Sequence, residues 1–243
     1  MKREIALLHA RMRTHHSRVA SAKRIIVEAL DVCPTWYVGF SGGKDSTVVA
    51  DLVLGLSPSA NLLYGDEEWL LPESSAYFER VSQKYGAQFH HIKAADEHTP
   101  WFRTWQDDPD AIHSDNASAV YARSKGWGGA FLGLRSEESA GRKMYLRRFG
   151  ALHYAKSNEQ WQCNPIYNWT WRDVWAYIYT NDLDYNRAYD RMDKIGVEPK
   201  YQRIGPLAVE RVLGRGQLAI LKRGWPGLFN RFAAKFPEAR AYV

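Results

Sequence analysis

A six-residue run, Ser41-Gly42-Gly43-Lys44-Asp45-Ser46, constrains this 243-residue chain more than any other feature. In front of it stands Trp36-Tyr37-Val38-Gly39-Phe40, aromatic and β-branched, the composition of a short buried strand. Behind it, Ser46 to Leu56 reads as a helix, apolar at Val48, Val49, Leu52 and Val53. Strand, glycine turn, helix is the opening unit of a parallel α/β sheet. At such a junction backbone N–H groups and the helix dipole gather positive potential. The glycines let the backbone come within hydrogen-bond distance of phosphate oxygens. Ser41 and Ser46 add hydroxyl donors and Lys44 adds a charge. The run is not the G-x-x-x-x-G-K-[ST] pattern, because Asp45 follows the lysine.

The rest of the chain continues the alternation. Residues 3–30 read as helical and basic, and Pro34 ends them. Asn61 to Tyr64 is a second strand, leading into Gly65-Asp66-Glu67-Glu68, and Pro72 to Tyr85 is a helix with proline in its first turn. Gln88 to Ile92 is a third strand, residues 94–118 a polar excursion, and Ala130 to Leu134 a fourth strand followed by a charged loop, Arg135 to Arg148. Trp161 to Ile166 is a fifth extended piece. Thr170 to Tyr179 is a helix opened by a capping box with aspartate at its fourth position, which assigns Asp173 and Trp171 to capping and packing. Three units follow: a basic N-terminal helical segment (1–32), an α/β domain (33–198) and a basic C-terminal tail with short helices (199–243).

Charge points to an anionic partner. Lys plus Arg is 33 and Asp plus Glu is 27, a net +6. Residues 1–24 hold seven basic residues against Glu4 alone, and Arg203, Arg211, Arg215, Lys222, Arg223, Arg231 and Lys235 load the other end. A nucleotide or a nucleic acid suits that excess, with the basic termini as the surface for a nucleic acid or protein partner or for a homodimer contact. No segment approaches the ~20 apolar residues that span a bilayer, and Lys2 and Arg3 are followed by no signal-like apolar stretch, so a cytoplasmic location is expected. Two cysteines are too few for a four-thiolate iron–sulfur cluster. His90, His91, His98 and His113 lack metal-ligand spacing and are read as structural.

Ser41 to Ser46 resembles the PP-loop of the ATP-pyrophosphatase superfamily. Three further segments resemble the phosphoadenosine phosphosulfate (PAPS) reductases within it. They are Leu63-Tyr64-Gly65-Asp66 running to Leu71-Pro72-Glu73-Ser74, then Gly133-Leu134-Arg135-Ser136-Glu137-Glu138-Ser139-Ala140-Gly141-Arg142, then Asn164-Pro165-Ile166 with Trp169 to Trp175. They occur in family order over about residues 36–190. The resemblance implies a Rossmann-like fold of the adenine nucleotide alpha hydrolase type, a mostly parallel sheet of about five strands with helices on both faces. It implies that Ser41, Gly42, Gly43, Lys44, Asp45, Ser46, Gly133, Arg135 and Arg142 hold ATP or PAPS. Lys44, Asp45, Arg135 and Arg142 carry the chemistry, Asp45 and Asp66 hold Mg2+, and Arg147 and Arg148 extend the arginine grip. Guanidinium forks after a strand's C-terminal end suit phosphate or sulfate on their own chemistry.

The chain departs from the family at one point. PAPS reductases carry a nucleophilic cysteine in a C-terminal E-C-G-[IL]-H-type segment, and here no cysteine follows Cys163. Cys33 and Cys163, each beside or near a proline, read as core thiols. The expected function is therefore adenylyl chemistry at the α-phosphate with pyrophosphate release, in sulfur metabolism or nucleic-acid modification. Two alternatives stand beside it: a PAPS reductase using an external or unconventional thiol, and a non-enzymatic nucleotide sensor that binds DNA or protein.

Overall fold

The computed structural model describes residues 3–65, 70–92, 117–204 and 216–243. Its centre is β1 (Trp36–Gly39), which leads through the glycine turn into α3 (Lys44–Leu54). Then come β2 (Asn61–Gly65), α4 (Pro72–Tyr85), β3 (Phe89–Ile92), α5 (Ala117–Ser124) and β4 (Gly129–Phe131). The six-stranded sheet closes with β5 (Leu152–Ala155) and β6 (Gln160–Cys163), in the order β3-β2-β1-β4-β6-β5. All pairings are parallel except β5 against β6. Five strands were expected; the sixth, β5, is an antiparallel edge strand of four residues.

Side chains alternate between the two faces of the strands, as a pleat requires. Trp36, Val38, Phe40, Leu62, Tyr64 and Phe131 enter the main core, where Trp36 and Phe131 pack ring to ring at 4.5 Å. Tyr37, Leu63 and Ala130 face the other way and pack with Ala122 of α5 and Trp127. Helices thus cover both faces.

The N-terminal segment is two helices, α1 (Arg3–Ala10) and α2 (Arg13–Val32), broken at Arg11-Met12. Ala22, Ile25, Ile26 and Ala29 of α2 belong to the main core. The C-terminal helices α9 (Gln217–Gly224) and α10 (Pro226–Lys235) also enter it, through Leu218, Leu221, Leu228, Phe229 and Phe232. Both ends of the chain are therefore packed onto the sheet domain. The segment expected as a charged loop, Arg135 to Arg148, is largely helical: a short 3-10 turn at Ser136–Glu138, then α6 (Ala140–Phe149). The Ser139 hydroxyl caps α6 by accepting the N–H of Arg142. The helix buries only Leu146, so its apolar periodicity is faint in the sequence. After β6 come α7 (Trp171–Thr180), opened by the expected Thr170/Asp173 capping box, and α8 (Ala188–Lys194).

Among the described residues no helix is long and apolar enough to cross a membrane. The polar excursion expected at 94–118 lies outside the described residues except for Ala117 and Ser118, which open helix α5; Asp66, His98 and His113 lie outside them as well.

Candidate functional site

Strand order places the site. The chain moves from β1 outward to β2 and β3, then returns to β4 on the other side of β1. A reversal of this kind opens a crevice at the C-terminal strand ends, where open α/β sheets take their ligands. The Ser41–Ser46 turn leaves β1 there, and the Gly133–Arg142 segment leaves β4 there.

The turn is shaped by contacts that admit only glycine. Gly42 has φ +68°, and a Cβ on it would lie 2.6 Å from Cζ of Phe78. A Cβ on Gly133 would meet the backbone of Asp45 and Ser46 at 3.0 Å, so the two loops touch main chain to main chain. Gly42→Ala is expected to cost about 1–2 kcal/mol for the left-handed backbone alone, with displacement of Phe78 added. A urea midpoint equal to that of the unsubstituted protein would refute this. Gly43 caps α3, and its carbonyl accepts the hydroxyls of Ser46 at 3.0 Å and Thr47 at 2.9 Å. Ser41 and Ser46 hydroxyls stand 3.3 Å apart.

Asp45 is the electrostatic centre of these loops. Its Oδ1 accepts from Nε of Arg135 at 2.6 Å and its Oδ2 from Nζ of Lys44 at 3.1 Å. Lys44 also donates to the Gln202 carbonyl at 3.1 Å and lies over the Tyr189 ring. Its backbone N–H donates to the Tyr189 hydroxyl at 3.0 Å. Arg135 reaches on to Glu137 at 2.8 Å, and its own N–H donates to Glu138 at 3.0 Å. Burial by itself pushes the Asp45 carboxyl up; the Lys44 and Arg135 charges outweigh it and hold the carboxyl below its usual range. Burial pushes the Lys44 amine down, and Asp45 restores only part of that.

A cavity of about 370 Å³ opens beside this network. Its polar side holds Ser41, Asp45, Ser46, Glu138, Arg142 and Arg203. Its apolar side holds Leu71, Met192, Ile220 and Trp225. Arg142 pairs with the Glu138 carboxylate, and Arg203 donates to the Glu138 carbonyl. An anionic group beside a flat apolar group matches this division, and the volume lies in the range of small-molecule sites.

Of the expected residues, Ser41, Gly43, Asp45, Ser46, Gly133 and Arg142 border the cavity. Gly42, Lys44 and Arg135 do not; Lys44 and Arg135 are buried behind Asp45. Arg147 and Arg148 sit further along α6, exposed and away from the cavity lining. Three members were not singled out from sequence as site residues: Glu138, Tyr189 and Arg203. Tyr189 and Arg203 lie far along the chain from the loop they meet, and no local motif marks them. Magnesium is the expected companion of nucleotide phosphates, but the described donors fit it poorly. Both Asp45 oxygens already hold cations.

Neither cysteine of the chain is placed for chemistry. Both are buried. Cys163 ends β6 at 0% exposure, its Sγ directed to the Ile25 carbonyl at 3.9 Å, and burial pushes its thiol well above the usual range. A thiol held protonated is a poor nucleophile.

Proteins with related sequences and folds are known. The adenosine 5'-phosphosulfate reductase of Anoxybacillus flavithermus is 26% identical over 170 residues, 65% of this chain and 69% of that one. The phosphoadenylyl-sulfate reductase of Candida auris, solved as a phosphate complex, superposes with a TM-score of 0.58 at 18% identity, covering 78% of this chain and 89% of the other. The FMN adenylyltransferase of Candida glabrata superposes at 0.57 with 12% identity, over 77% of this chain and 65% of the other. At these identities the two structures speak for the fold. The sequence model of the phosphoadenosine phosphosulfate reductase domain matches residues 35–210, from the first residue before β1 through the segment that carries Tyr189 and Arg203, and the chain belongs to that family.

Proposed function

We propose that the chain binds an adenylyl nucleotide across the cavity and acts at its α-phosphate. The observation that carries this reading is the meeting of the glycine turn, Arg142 and Arg203 around one cavity, in a chain whose two cysteines are both buried. In the proposed step an acceptor oxygen attacks the α-phosphorus. The bond from that phosphorus to the bridging oxygen breaks, and pyrophosphate leaves with the electron pair. Ser41, Ser46 and the turn's backbone hold the phosphates. Arg142 and Arg203 face the charge that develops on the non-bridging oxygens, a role in which fixed donors contribute most. Lys44 and Arg135 act through Asp45: they fix its carboxylate and thereby the turn, which makes them positioning residues. The names of the curated relatives favour a second reading, in which the same cavity takes a sulfonucleotide and an external thiol reduces it.

One experiment separates the two. The protein is incubated with ATP labelled at the α-phosphate, and in parallel with adenosine 5'-phosphosulfate or PAPS plus thioredoxin. Labelled AMP or an adenylylated acceptor, with pyrophosphate, is the expected product of the first arm. Labelled ADP would overturn the α-phosphate reading. Sulfite released in the second arm, undiminished in Cys163→Ser, would establish the external-thiol reading instead.

A further inference from the structure

The exposed face of α6 gathers several cations without carboxylate partners. From residue 140 to residue 158 the chain carries Arg142, Lys143, Arg147, Arg148 and Lys156 and no carboxylate at all. In the helix, Lys143 and Arg147 are four apart, as are Met144 and Arg148, so the four side chains form two adjacent rows on one face. All four are exposed, Met144 at 72%. Several surface arginines elsewhere are matched, Arg80 with Asp184, Arg187 with Asp184 and Asp190, Arg191 with Glu73. Among the described residues, Lys143, Arg147 and Arg148 have no carboxylate within ion-pair distance. The carboxylates that bracket the run in sequence are committed, Glu138 to Arg142 and Glu159 to Arg123.

An aromatic edge lies at the C-terminal end of the same helix. Phe149 is 43% exposed and stacks on His153 of β5 at 5.3 Å and 27°. The Arg148 guanidinium lies 5.1 Å from the Phe149 ring centre. The Tyr145 hydroxyl fixes the stack from below, 2.7 Å from Nε2 of His153 and 2.8 Å from the Gln162 side-chain oxygen. The N-terminal end of α6 is the cavity itself, where Arg142 forms part of the lining. From Arg142 to Arg148 is about 9 Å along the helix axis.

We propose that this face of α6 docks a single-stranded nucleic acid, with phosphates on Lys143, Arg147 and Arg148 and an unpaired base on Phe149. Cations without carboxylate partners favour a polyanion. An exposed ring flanked by arginine favours a base that is free to stack, which a duplex does not offer. At about 100° per residue Phe149 follows Arg148 round the flank of this face, so a strand with its phosphates on the face can turn one base over that edge. This differs from the expectation that the basic termini provide the nucleic-acid surface. It is independent of the α-phosphate reading, because docking is measured without ATP.

The test uses the full chain and a fluorescent single strand of about 12 nucleotides, as DNA and as RNA, with anisotropy followed over a salt series. Arg147→Glu/Arg148→Glu is compared with Lys23→Glu/Arg24→Glu, which makes the same charge change on exposed positions of α2. The first variant is expected to bind at least about tenfold more weakly, and its slope of log affinity against log salt to fall by roughly 1.4, two phosphate contacts at ~0.7 each. The α2 variant stays within about twofold of the unsubstituted protein. Thermal melts confirm that both fold. Absence of binding by the unsubstituted protein, equal loss in both variants, or displacement of the strand by duplex at lower concentration than by single strand would each overturn the proposal.

Discussion

Lys44→Ala is expected to lower α-phosphate turnover by about a hundredfold, the order lost when a change away from the chemistry displaces reacting groups by ~1 Å. The lysine does not border the cavity, so the loss has to travel. Its ammonium is buried 3.1 Å from the Asp45 carboxylate and 3.1 Å from the Gln202 carbonyl. It ties the turn after β1 to the segment that also presents Arg203 to the cavity. Without it Asp45 keeps only Arg135, and the carboxylate that lines the cavity is no longer fully balanced beside incoming phosphates. Both consequences oppose an anionic transition state more than they oppose folding. Lys44→Arg should not rescue the activity, because a guanidinium lacks the room of a compact ammonium under Tyr189. A pH profile separates this role from a packing role. Burial lowers the Lys44 amine below the ordinary lysine value of 10.5, so turnover should fall on an alkaline limb below that value as the charge is lost. Lys44→Ala should remove the limb along with the rate. Turnover within about threefold of the unsubstituted protein would contradict the argument, since a displaced phosphate turn is worth about a hundredfold.

What was legible in the sequence was what is covalently local. The glycine turn, the strand before it and the helix after it lie within about twenty residues, and each position states its own constraint. The Thr170/Asp173 box was legible for the same reason: cap and partner are three residues apart. Helix α6 was not legible, because Arg142, Lys143, Arg147 and Arg148 occupy the periodic positions and only Leu146 is buried. Strand β5 was missed since its four residues include one histidine and alternate weakly, and an edge strand needs only one covered face. The Tyr189 contact joins residues 145 positions apart, and that of Arg203 to Glu138 spans 65. Nothing in either neighbourhood marks it. The site is thus half local motif and half tertiary closure. The second half comes from α8 and the segment after it, whose own sequence pattern is that of an ordinary amphipathic surface.

The same distinction explains why Asp173 carries more than a cap. Sequence assigns it to the first turn of α7, and it does close that turn: its Oδ2 accepts the Thr170 N–H at 2.8 Å and the Thr170 hydroxyl at 2.6 Å. Its Oδ1 accepts from Nε2 of His9 at 2.9 Å and from Nδ1 of His15 at 3.1 Å, and Arg18 donates to the carboxylate as well. One carboxylate with 0% exposure therefore binds α1 and α2 to α7. Asp173→Asn keeps the shape, removes the charge and turns an amide N–H2 toward groups that are donors. The expected loss is about 3 kcal/mol, the lower end for a broken buried pair because Arg18 can reach water. The acid dependence follows from the carboxyl's own equilibrium. Burial alone would raise it, but the hydrogen bonds from His15, Thr170 and His9 outweigh burial and hold it well below the usual carboxylate range. A carboxyl depressed in the folded state contributes stability above its unfolded value of about 3.9, and that contribution drains away as pH falls toward the folded value. Urea unfolding at about pH 7 should therefore show the full difference between the two proteins, and at about pH 3 a smaller one. Trypsin should cut the Asn variant faster at Arg11 and Arg13, where α1 meets α2. Equal urea midpoints at neutral pH would mean that the N-terminal helices are held by Ala22, Ile25, Ile26 and Ala29 alone, and that the carboxylate is only a cap.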